Sequence, residues 1–450
     1  MLNLNLNHAK NQAQNQCRRA MKLLVFAHTP PPHHGQSYMV QLMLAGLGGD
    51  CRRKASKPAA ELLPELPASV DHGIQCYHVN ARLSRHLEDI GDLRIGKFFL
   101  LVWYILQAIW CRFRYGVSTF YYIPAPGKRS ALYRDWVVMA LCRPFFKRVI
   151  LHWHAAGLAK WLETSVQIRA RAFTYHFLKQ VDLSIVLSKY NQADAEKLFS
   201  RQIRVVGNGI PDPCPDYDKN VLPLQRLRRL NRQKLLQGQL KDLDPETNVV
   251  RVAFLAHCTR EKGVFDTARG VILANEMLRQ QQSPLQLELV LAGNFVNPGE
   301  REEFDELVAQ TKAGSYIDCA GFVSGDQKRE LLRRADVFCF PTYYRNENQP
   351  VNLIEAMAFG LPILTTRWRS IPELFPADYP GLVDVKSPEQ VARGLLTLID
   401  APVGELFRAT FRRQFTIEGH LAGLAEAFQS VEKAATPVLP ATQAAEPSPG

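Results

Sequence analysis

Short runs of β-branched and aromatic residues alternate with longer amphipathic segments along most of the chain, and this alternation strongly limits the possible folds. The first half has six such runs, at 22–27, 74–79, 118–123, 148–154, 182–187 and 203–206. The second half has five, at 249–256, 285–292, 316–321, 337–340 and 362–365. Strand-length runs separated by helical segments predict βαβ units around parallel sheets. The sequence therefore predicts two α/β domains in tandem.

The alternating regions are joined and flanked by segments of different character. Residues 211–248 lose the strand-like runs and contain a basic cluster between 226 and 234, whereas 403–434 begin a last helical run with regularly spaced leucines and phenylalanines. We therefore predict a first domain over 21–210, a linker or inserted helix over 211–248, a second domain over 249–402 and a terminal helix over 403–434. The Asn/Gln-rich residues 1–20 and the Pro/Ala/Ser-rich residues 435–450 are predicted to be disordered.

Composition excludes several classes of protein. With 450 residues, 46% hydrophobic and 22% charged, the chain is not collagen-like, coiled-coil or wholly disordered. The nine cysteines include no C-x-x-C pair, which favours a reducing compartment and argues against a structural metal site. No secretory leader is visible. These features predict a cytoplasmic protein.

The net charge of +12 favours anionic partners, which include nucleic acid, phosphorylated small molecules and acidic membranes. The longest apolar stretch, 98–111, is interrupted by Gln107 and is shorter than the roughly 18 residues that span a bilayer. It is followed by Arg112 and Arg114, so it is either a core helix with a basic end or a helix at the interface of an acidic membrane. Nothing except charge supports nucleic-acid binding, which we do not expect.

The most informative segment covers residues 341–373, where a strand is followed by a loop and a helix. Glu347 lies in the loop, and Glu355 follows eight residues later in the first turns of the helix. The backbone N–H groups of Val351, Asn352 and Leu353 lie at the start of this helix, where unpaired donors and partial positive charge attract an anion. Two carboxylates beside such a helix end suit a ligand that carries both phosphates and hydroxyls, such as a nucleotide sugar.

This E-x7-E spacing, the following EAMAFGLPILTT and the later IPE resemble the retaining glycosyltransferases of family 4, which have the GT-B fold. The resemblance implies two Rossmann-like domains that face each other across a cleft, with the C-terminal helix crossing back to the first domain. It further implies that Glu355 holds the ribose hydroxyls and that Glu347 orients the transferred sugar.

A second signature is VAFLAHCTREKG at 252–263, a strand followed by a polar turn. In the family a Gly-Arg pair follows this strand, and a Lys-Gly pair stands four or five residues further on. Lys262 and Gly263 match the second pair, so Lys262 is expected to bind the donor diphosphate. The first pair is replaced by Ala256 and His257, and either His257 or the nearby Arg260 is expected to substitute for the usual arginine.

The first domain carries weaker signals. In the family a glycine-containing loop follows the first strand and faces both substrates, and Gly35 and Gln36 lie in the corresponding segment of this chain. A histidine at the end of a later strand contacts the donor sugar in the family, and His154 is the better match of the pair His152 and His154. Since no G-x-G-x-x-G follows the first strand, a dinucleotide cofactor is not expected.

Together these resemblances imply a metal-independent glycosyltransferase that moves a sugar, with retention of configuration, from a nucleoside-diphosphate sugar to a hydroxyl of a glycan or lipid-linked acceptor. The implied process is cell-surface polysaccharide or glycolipid synthesis at the cytoplasmic face of the membrane. The nucleotide sugar is a co-substrate, and no cofactor is expected. Two alternatives stay open: a non-catalytic protein of the same fold that binds a nucleotide sugar, and a nucleotide-sugar epimerase.

Overall fold

A computed structural model describes residues 20–31, 34–52, 70–83, 95–124, 127–239 and 247–433. The two terminal segments predicted to be disordered, 1–20 and 435–450, lie outside the described residues except for residue 20. All strand pairs in the described part are parallel, and they form two six-stranded sheets. This confirms the predicted α/β architecture.

The first sheet has the strand order β2-β1-β3-β4-β5-β6. Its strands are β1 (Met21–Ala27), β2 (Ile74–Asn80), β3 (Thr119–Tyr122), β4 (Arg148–Trp153), β5 (Leu183–Val186) and β6 (Ile203–Val205). The helices of this domain are α1 (Gly35–Gly46), α2 (Ile95–Tyr115), α3 (Arg129–Cys142), α4 (Leu158–Ser165), α5 (Ile168–Leu178) and α6 (Gln192–Glu196).

Alternate residues of the first sheet bury on opposite sides, as the pleat of a strand requires. Leu23 and Val25 pack in the cluster that contains α1, whereas Leu24 and Phe26 pack in the cluster that contains α2, α3 and α5. Both faces are therefore covered, which is usual for a parallel sheet.

The second sheet has the strand order β12-β11-β10-β7-β8-β9. Its strands are β7 (Val249–Leu255), β8 (Gln286–Ala292), β9 (Ile317–Gly321), β10 (Val337–Phe340), β11 (Ile363–Thr366) and β12 (Leu382–Val383). The helices after β7 are α8 (Val264–Gln280), α9 (Pro298–Gln310), α10 (Gly325–Arg334), α11 (Val351–Ala358) and α12 (Pro388–Leu398). All eleven predicted strands are present within two residues, and among the described residues the prediction missed only β12, which has two residues.

The described part of the segment between the sheets, up to residue 239, is anchored to the second domain. It contains a helix, α7 (Leu222–Leu236), whose arginines bind second-domain groups. Arg232 is buried and donates to Asp336 at 3.1 Å, Arg228 donates to the carbonyl of Arg334 at 2.9 Å, and Arg226 pairs with Glu405. The basic cluster of the linker therefore stabilises the second domain.

The last helical run is divided into two helices, α13 (Gly404–Gln414) and α14 (Ile417–Lys433), where the sequence predicted one. The break falls where Ile210, at the end of the first domain, bonds through its N–H to the carbonyl of Phe415 and through its carbonyl to the N–H of Ile417. A Cβ on Gly209 would lie 2.3 Å from the carbonyl oxygen of Thr416, so this close approach needs glycine. The backbone leaves the helix to make these bonds.

Helix α14 then crosses back and packs against α1 and β5 of the first domain. Phe428 lies edge-on to Tyr121 of β3 with 5.9 Å between ring centroids, and the Gln429 amide donates to the carbonyl of His72 at 2.9 Å. The crossing of the terminal helix is as predicted, and it ties the last helix to the first domain.

Candidate active site

Lys262 and Glu347 form an ion pair at the carboxyl ends of the second-domain strands. The Lys262 ammonium follows β7 and donates to Glu347 Oε2 at 2.7 Å, and the Thr342 hydroxyl donates to the same oxygen at 3.1 Å. Glu347 is only 8% exposed, so its charge depends on these partners. Ligands of open α/β sheets bind at this edge.

The local backbone explains why a glycine follows Lys262. Gly263 has φ +87°, in the left-handed region, and a Cβ there would lie 2.4 Å from the carbonyl oxygen of Pro341 at the end of β10. Only glycine permits both the turn and this contact. The Lys-Gly pair therefore brings the turn after β7 against the loop that carries Glu347.

Glu355 has a second lysine as its partner. It lies in α11 and is 7% exposed, and its Oε1 accepts from the ammonium of Lys328 in α10. Both carboxylates of the E-x7-E pattern are thus buried and paired with lysine. An ammonium has three donors and a carboxylate has several lone pairs, so each pair keeps capacity for a bound ligand.

The N-termini of two helices approach each other from the two domains. Helix α11 begins at Val351 and α1 begins at Gly35, and a Cβ on Gly35 would lie 3.9 Å from Val351 Cγ2. Tyr38 of α1 lies close enough to Glu355 for that charge to raise the tyrosine pKa in addition to the larger effect of burial. Two helix ends with partial positive charge attract an anion between them.

The first-domain side of the cleft contains histidines. His154 follows β4, and its ring lies against His152 with 4.2 Å between centroids. Burial lowers the pKa of His154 to about 3, and electrostatic repulsion from His420 and His34 adds smaller effects in the same direction. The imidazole is therefore neutral. Its Nε2 is buried without a hydrogen-bond partner among the described residues, which suits a ligand hydroxyl.

Two residues directly after Glu347 join the domains. The Asn348 amide donates to Asn191 Oδ1 at 2.7 Å and to the carbonyl of Trp153, and Gln349 accepts from the backbone N–H of Asn208. These contacts hold the Glu347 loop against the end of β4, next to His154. The domains are therefore in contact across the candidate site.

The remaining predicted residues lie around this centre. The Arg260 guanidinium pairs with Glu303 of α9 and lies over the ring of Phe265 at 4.3 Å, so it is held on the α9 side of the turn. His257 lies in the same turn after β7. Asn352 donates to the carbonyl of Leu255 at 2.9 Å, which fixes the start of α11 to the end of β7.

Several residues of the site were missed by sequence reasoning. Lys328 stands in an ordinary-looking surface helix, and Tyr38 belongs to a helix that the motifs describe only at its start. Asn348 had a weak signal, since it follows Glu347 directly. Its partners lie more than 150 residues earlier in the chain, and no local pattern indicates such contacts.

These features define a class. Two parallel-sheet domains, a cleft between the carboxyl ends of their strands and a terminal helix that crosses back form the GT-B fold. Residues 239–415 match the family model described as "Glycosyl transferases group 1". This match covers less than half of the chain, and together with the fold it supports the GT-B glycosyltransferase superfamily.

Relatives of known name agree with this class. The chain is 26% identical over 342 residues to the amylovoran biosynthesis glycosyltransferase AmsK of Erwinia amylovora. This match covers 72% of this chain and 77% of AmsK. It is 29% identical over 150 residues to the putative colanic acid biosynthesis glycosyltransferase WcaL of Escherichia coli K12. That match covers 32% of this chain and only 34% of WcaL.

Solved structures show the same fold. Anabaena HepE in complex with UDP and glucose superimposes with a TM-score of 0.57 at 16% identity, covering 91% of this chain and all of HepE. Sucrose-phosphate synthase from Thermosynechococcus elongatus superimposes with a TM-score of 0.61 at 17% identity, covering 92% of this chain and all of that chain.

Proposed function

We propose that this protein transfers a glycosyl group from a nucleoside-diphosphate sugar to an acceptor hydroxyl, with retention of configuration, in the synthesis of a cell-surface polysaccharide or glycolipid. The observation that carries the proposal is the cluster of Lys262, Glu347 and the facing helix ends of α1 and α11. It combines donors for a diphosphate with carboxylates for sugar hydroxyls. The names of AmsK and WcaL support the class of product, and the complex of HepE with UDP and glucose supports the class of donor.

Departure of the diphosphate is the step that needs most help, because negative charge develops on its oxygens as the glycosidic bond breaks. Fixed donors that are already aimed at this charge lower the barrier. Lys262 and the backbone N–H groups of Val351 to Leu353 are the proposed donors, with Arg260 or His257 as a further contact. These groups supply the stabilisation from the protein itself, so the proposed reaction uses no metal ion.

The carboxylates orient the donor. Glu355 is proposed to accept hydrogen bonds from the ribose and Glu347 from the transferred sugar, while each keeps its lysine. His154 Nε2, neutral and without a protein partner in the described part, is proposed to bind a hydroxyl of the same sugar from the opposite side of the cleft. Retention requires the acceptor oxygen to approach on the face of the leaving phosphate, and contact between the domains confines it there.

A donor screen tests the proposal. Thermal shift with UDP-, GDP- and ADP-sugars is expected to identify one class that stabilises the protein, and turnover of that donor is then followed with and without chelator. The anomeric configuration of the product, read by proton NMR, is expected to match that of the donor. Absence of stabilisation by every nucleotide sugar would refute the proposal, while stabilisation without transfer would favour the non-catalytic alternative. Conversion of the free nucleotide sugar would favour the epimerase.

A further inference from the structure

Helix α2 is apolar on the side that faces away from the protein. Its inward residues Leu101, Ile105 and Cys111 are buried against the sheet. Its outward residues are also large and apolar, and each is more than half exposed: Phe98, Phe99, Trp103, Leu106, Trp110 and Phe113. A surface helix of a globular domain ordinarily turns its polar side outward. This outward stripe therefore needs an apolar partner.

The stripe continues onto neighbouring helices. Phe113 meets Phe145, which follows α3, with 6.0 Å between ring centroids, and Trp136 of α3 meets Phe173 of α5 at 5.7 Å. Further exposed apolar residues of the same layer are Tyr133, Leu141 and Ile168. We call the outward residues of α2, α3 and α5, with Phe145, the aromatic surface. An apolar surface of this extent marks an interaction site.

The segment of the chain that carries the aromatic surface is strongly basic. Residues 95–180 contain thirteen lysines and arginines but only two acidic residues, so this segment carries nearly all of the chain's net charge. Of the two acidic residues, Asp135 is buried beside Arg134, and Glu163 is paired with Lys197. A partner of this surface must therefore be both apolar and anionic.

We propose that the aromatic surface docks the first domain onto a bilayer that contains acidic lipids, with α2 lying in the plane of the interface. Such a bilayer accepts aromatic and aliphatic side chains between its headgroups and attracts the flanking basic residues. A second copy of the chain is disfavoured as the partner, because two surfaces of the same strong charge repel each other. This proposal goes beyond the transfer reaction and does not depend on it.

The mode of contact follows from the packing of α2. Among the described residues, α2 is the one helix long and apolar enough to cross a bilayer by length and composition. Crossing would remove Leu101, Ile105 and Cys111 from the core between α2 and the sheet. Lying in the interface instead keeps this core and buries only the outward stripe.

The surface is also well placed for the cleft. The Tyr104 hydroxyl, in the first half of α2, donates to the carbonyl of Arg82, which follows the carboxyl end of β2. The carboxyl ends of the first-domain strands line the cleft, so the first half of α2 lies on the same edge of the domain. A lipid-linked acceptor could reach the cleft from the bilayer over this edge.

Vesicle flotation of the full chain tests the proposal. We expect binding to vesicles of phosphatidylcholine mixed with phosphatidylglycerol, weaker binding to phosphatidylcholine alone, and a decrease at high salt. Leu106→Glu and Trp103→Glu are expected to reduce the partition coefficient about tenfold or more, because a carboxylate replaces an inserted side chain. Leu406→Glu is the matched control, since Leu406 is a similarly exposed leucine, 49% against 54%, on a second-domain helix.

The proposal would be overturned if the chain did not bind acidic vesicles, or if Leu106→Glu bound them as well as wild type does. It would also be overturned if the membrane-bound chain resisted alkaline extraction, because this would indicate a spanning helix. Loss of a dimer in Leu106→Glu, without any vesicle binding, would show instead that the surface binds a second copy of the chain. Both positions are exposed, so the variants are expected to fold, which circular dichroism checks. An unchanged thermal shift with the donor in Leu106→Glu separates this proposal from the proposed function.

Discussion

The two sides of the cleft solve the problem of buried polar groups differently. On the second-domain side, Glu347 and Glu355 are buried carboxylates that each pair with a lysine. On the first-domain side, His152, His154 and His420 are buried imidazoles whose pKa values are lowered by burial, so they carry no charge. One side is therefore a set of compensated charges, and the other is a set of neutral donors and acceptors.

This difference indicates a division of work. A diphosphate needs fixed positive charge, which the lysines and helix ends of the second domain provide. A sugar or acceptor hydroxyl needs hydrogen bonds of good geometry without a competing charge, which neutral imidazoles provide. The following variants test whether the two sides act in these separate ways.

Lys262→Ala is expected to have the largest effect. It removes the ammonium proposed to bind the diphosphate and leaves Glu347 buried without its charge partner, so kcat/KM for the donor should fall about 1,000-fold. Arg260→Ala should cost much less, because the Arg260 guanidinium is held by Glu303. Steady-state kinetics of both variants measure which of the two side chains contributes more to kcat/KM. A larger loss in Arg260→Ala would transfer the role to Arg260.

His154→Ala is expected to lower kcat about 100-fold while the thermal shift caused by the nucleoside diphosphate alone stays unchanged. The reason is that His154 faces the sugar in the proposed complex and makes no contact with the leaving group. His176→Ala, at an exposed position of α5, is the control. If His154→Ala weakens binding of the bare diphosphate, the division between the two sides of the cleft is wrong.

Glu355→Gln is expected to raise the Kd of the donor about tenfold, since the neutral amide oxygen accepts from the ribose more weakly than the carboxylate and leaves the charge of Lys328 uncompensated. Lys328→Met should have a smaller effect, about threefold, if Lys328 acts only by compensating Glu355. Calorimetric titration of the two single variants and the double variant measures their coupling. A greater loss in Lys328→Met than in Glu355→Gln would show that the lysine itself contacts the donor.

The last expected effect concerns stability against pH and leaves the reaction itself aside. Burial lowers the pKa of His420 from 6.5 to about 4, so the unfolded chain takes up a proton below pH 6.5 that the folded chain does not take up until about pH 4. The free energy of unfolding therefore falls with falling pH in this window, by about 1.4 kcal/mol per pH unit for one histidine. His420→Gln should reduce this slope by that amount in urea unfolding measured at about pH 6 and 5. An unchanged slope would mean that His420 is protonated in the folded protein.

The fold was largely predictable because its signals are local. In a chain that alternates such runs with helical segments, apolar runs of strand length such as 249–256 and 337–340 form buried parallel strands. The division of the terminal run into α13 and α14 was not predictable, because it results from bonds between Ile210 and the backbone around Thr416, 206 residues away in sequence. The position of β12 was not predictable either, since two residues carry no periodic signal.

The candidate site was predictable where its residues lie in short continuous motifs. Glu347, Glu355, Lys262 and Gly263 lie in two continuous segments, and the requirement for glycine at 263 is explained by the positive φ and by Pro341. Lys328, Tyr38 and Asn348 were not predictable, because each reaches its partner from a different helix or loop. Their roles exist only after the domains meet.

The sequence by itself determined the two parallel-sheet domains, the segment that carries Lys262 and the segment that carries Glu347 and Glu355. Periodicity and short-range spacing depend only on residues that are close together in the chain. Only the tertiary structure decided which charges pair, which histidines are neutral and which face of α2 stays uncovered. The pairing of charges, the neutrality of the histidines and the exposure of α2 all depend on which residues lie across a domain or helix interface. Separation along the chain does not show which residues those are.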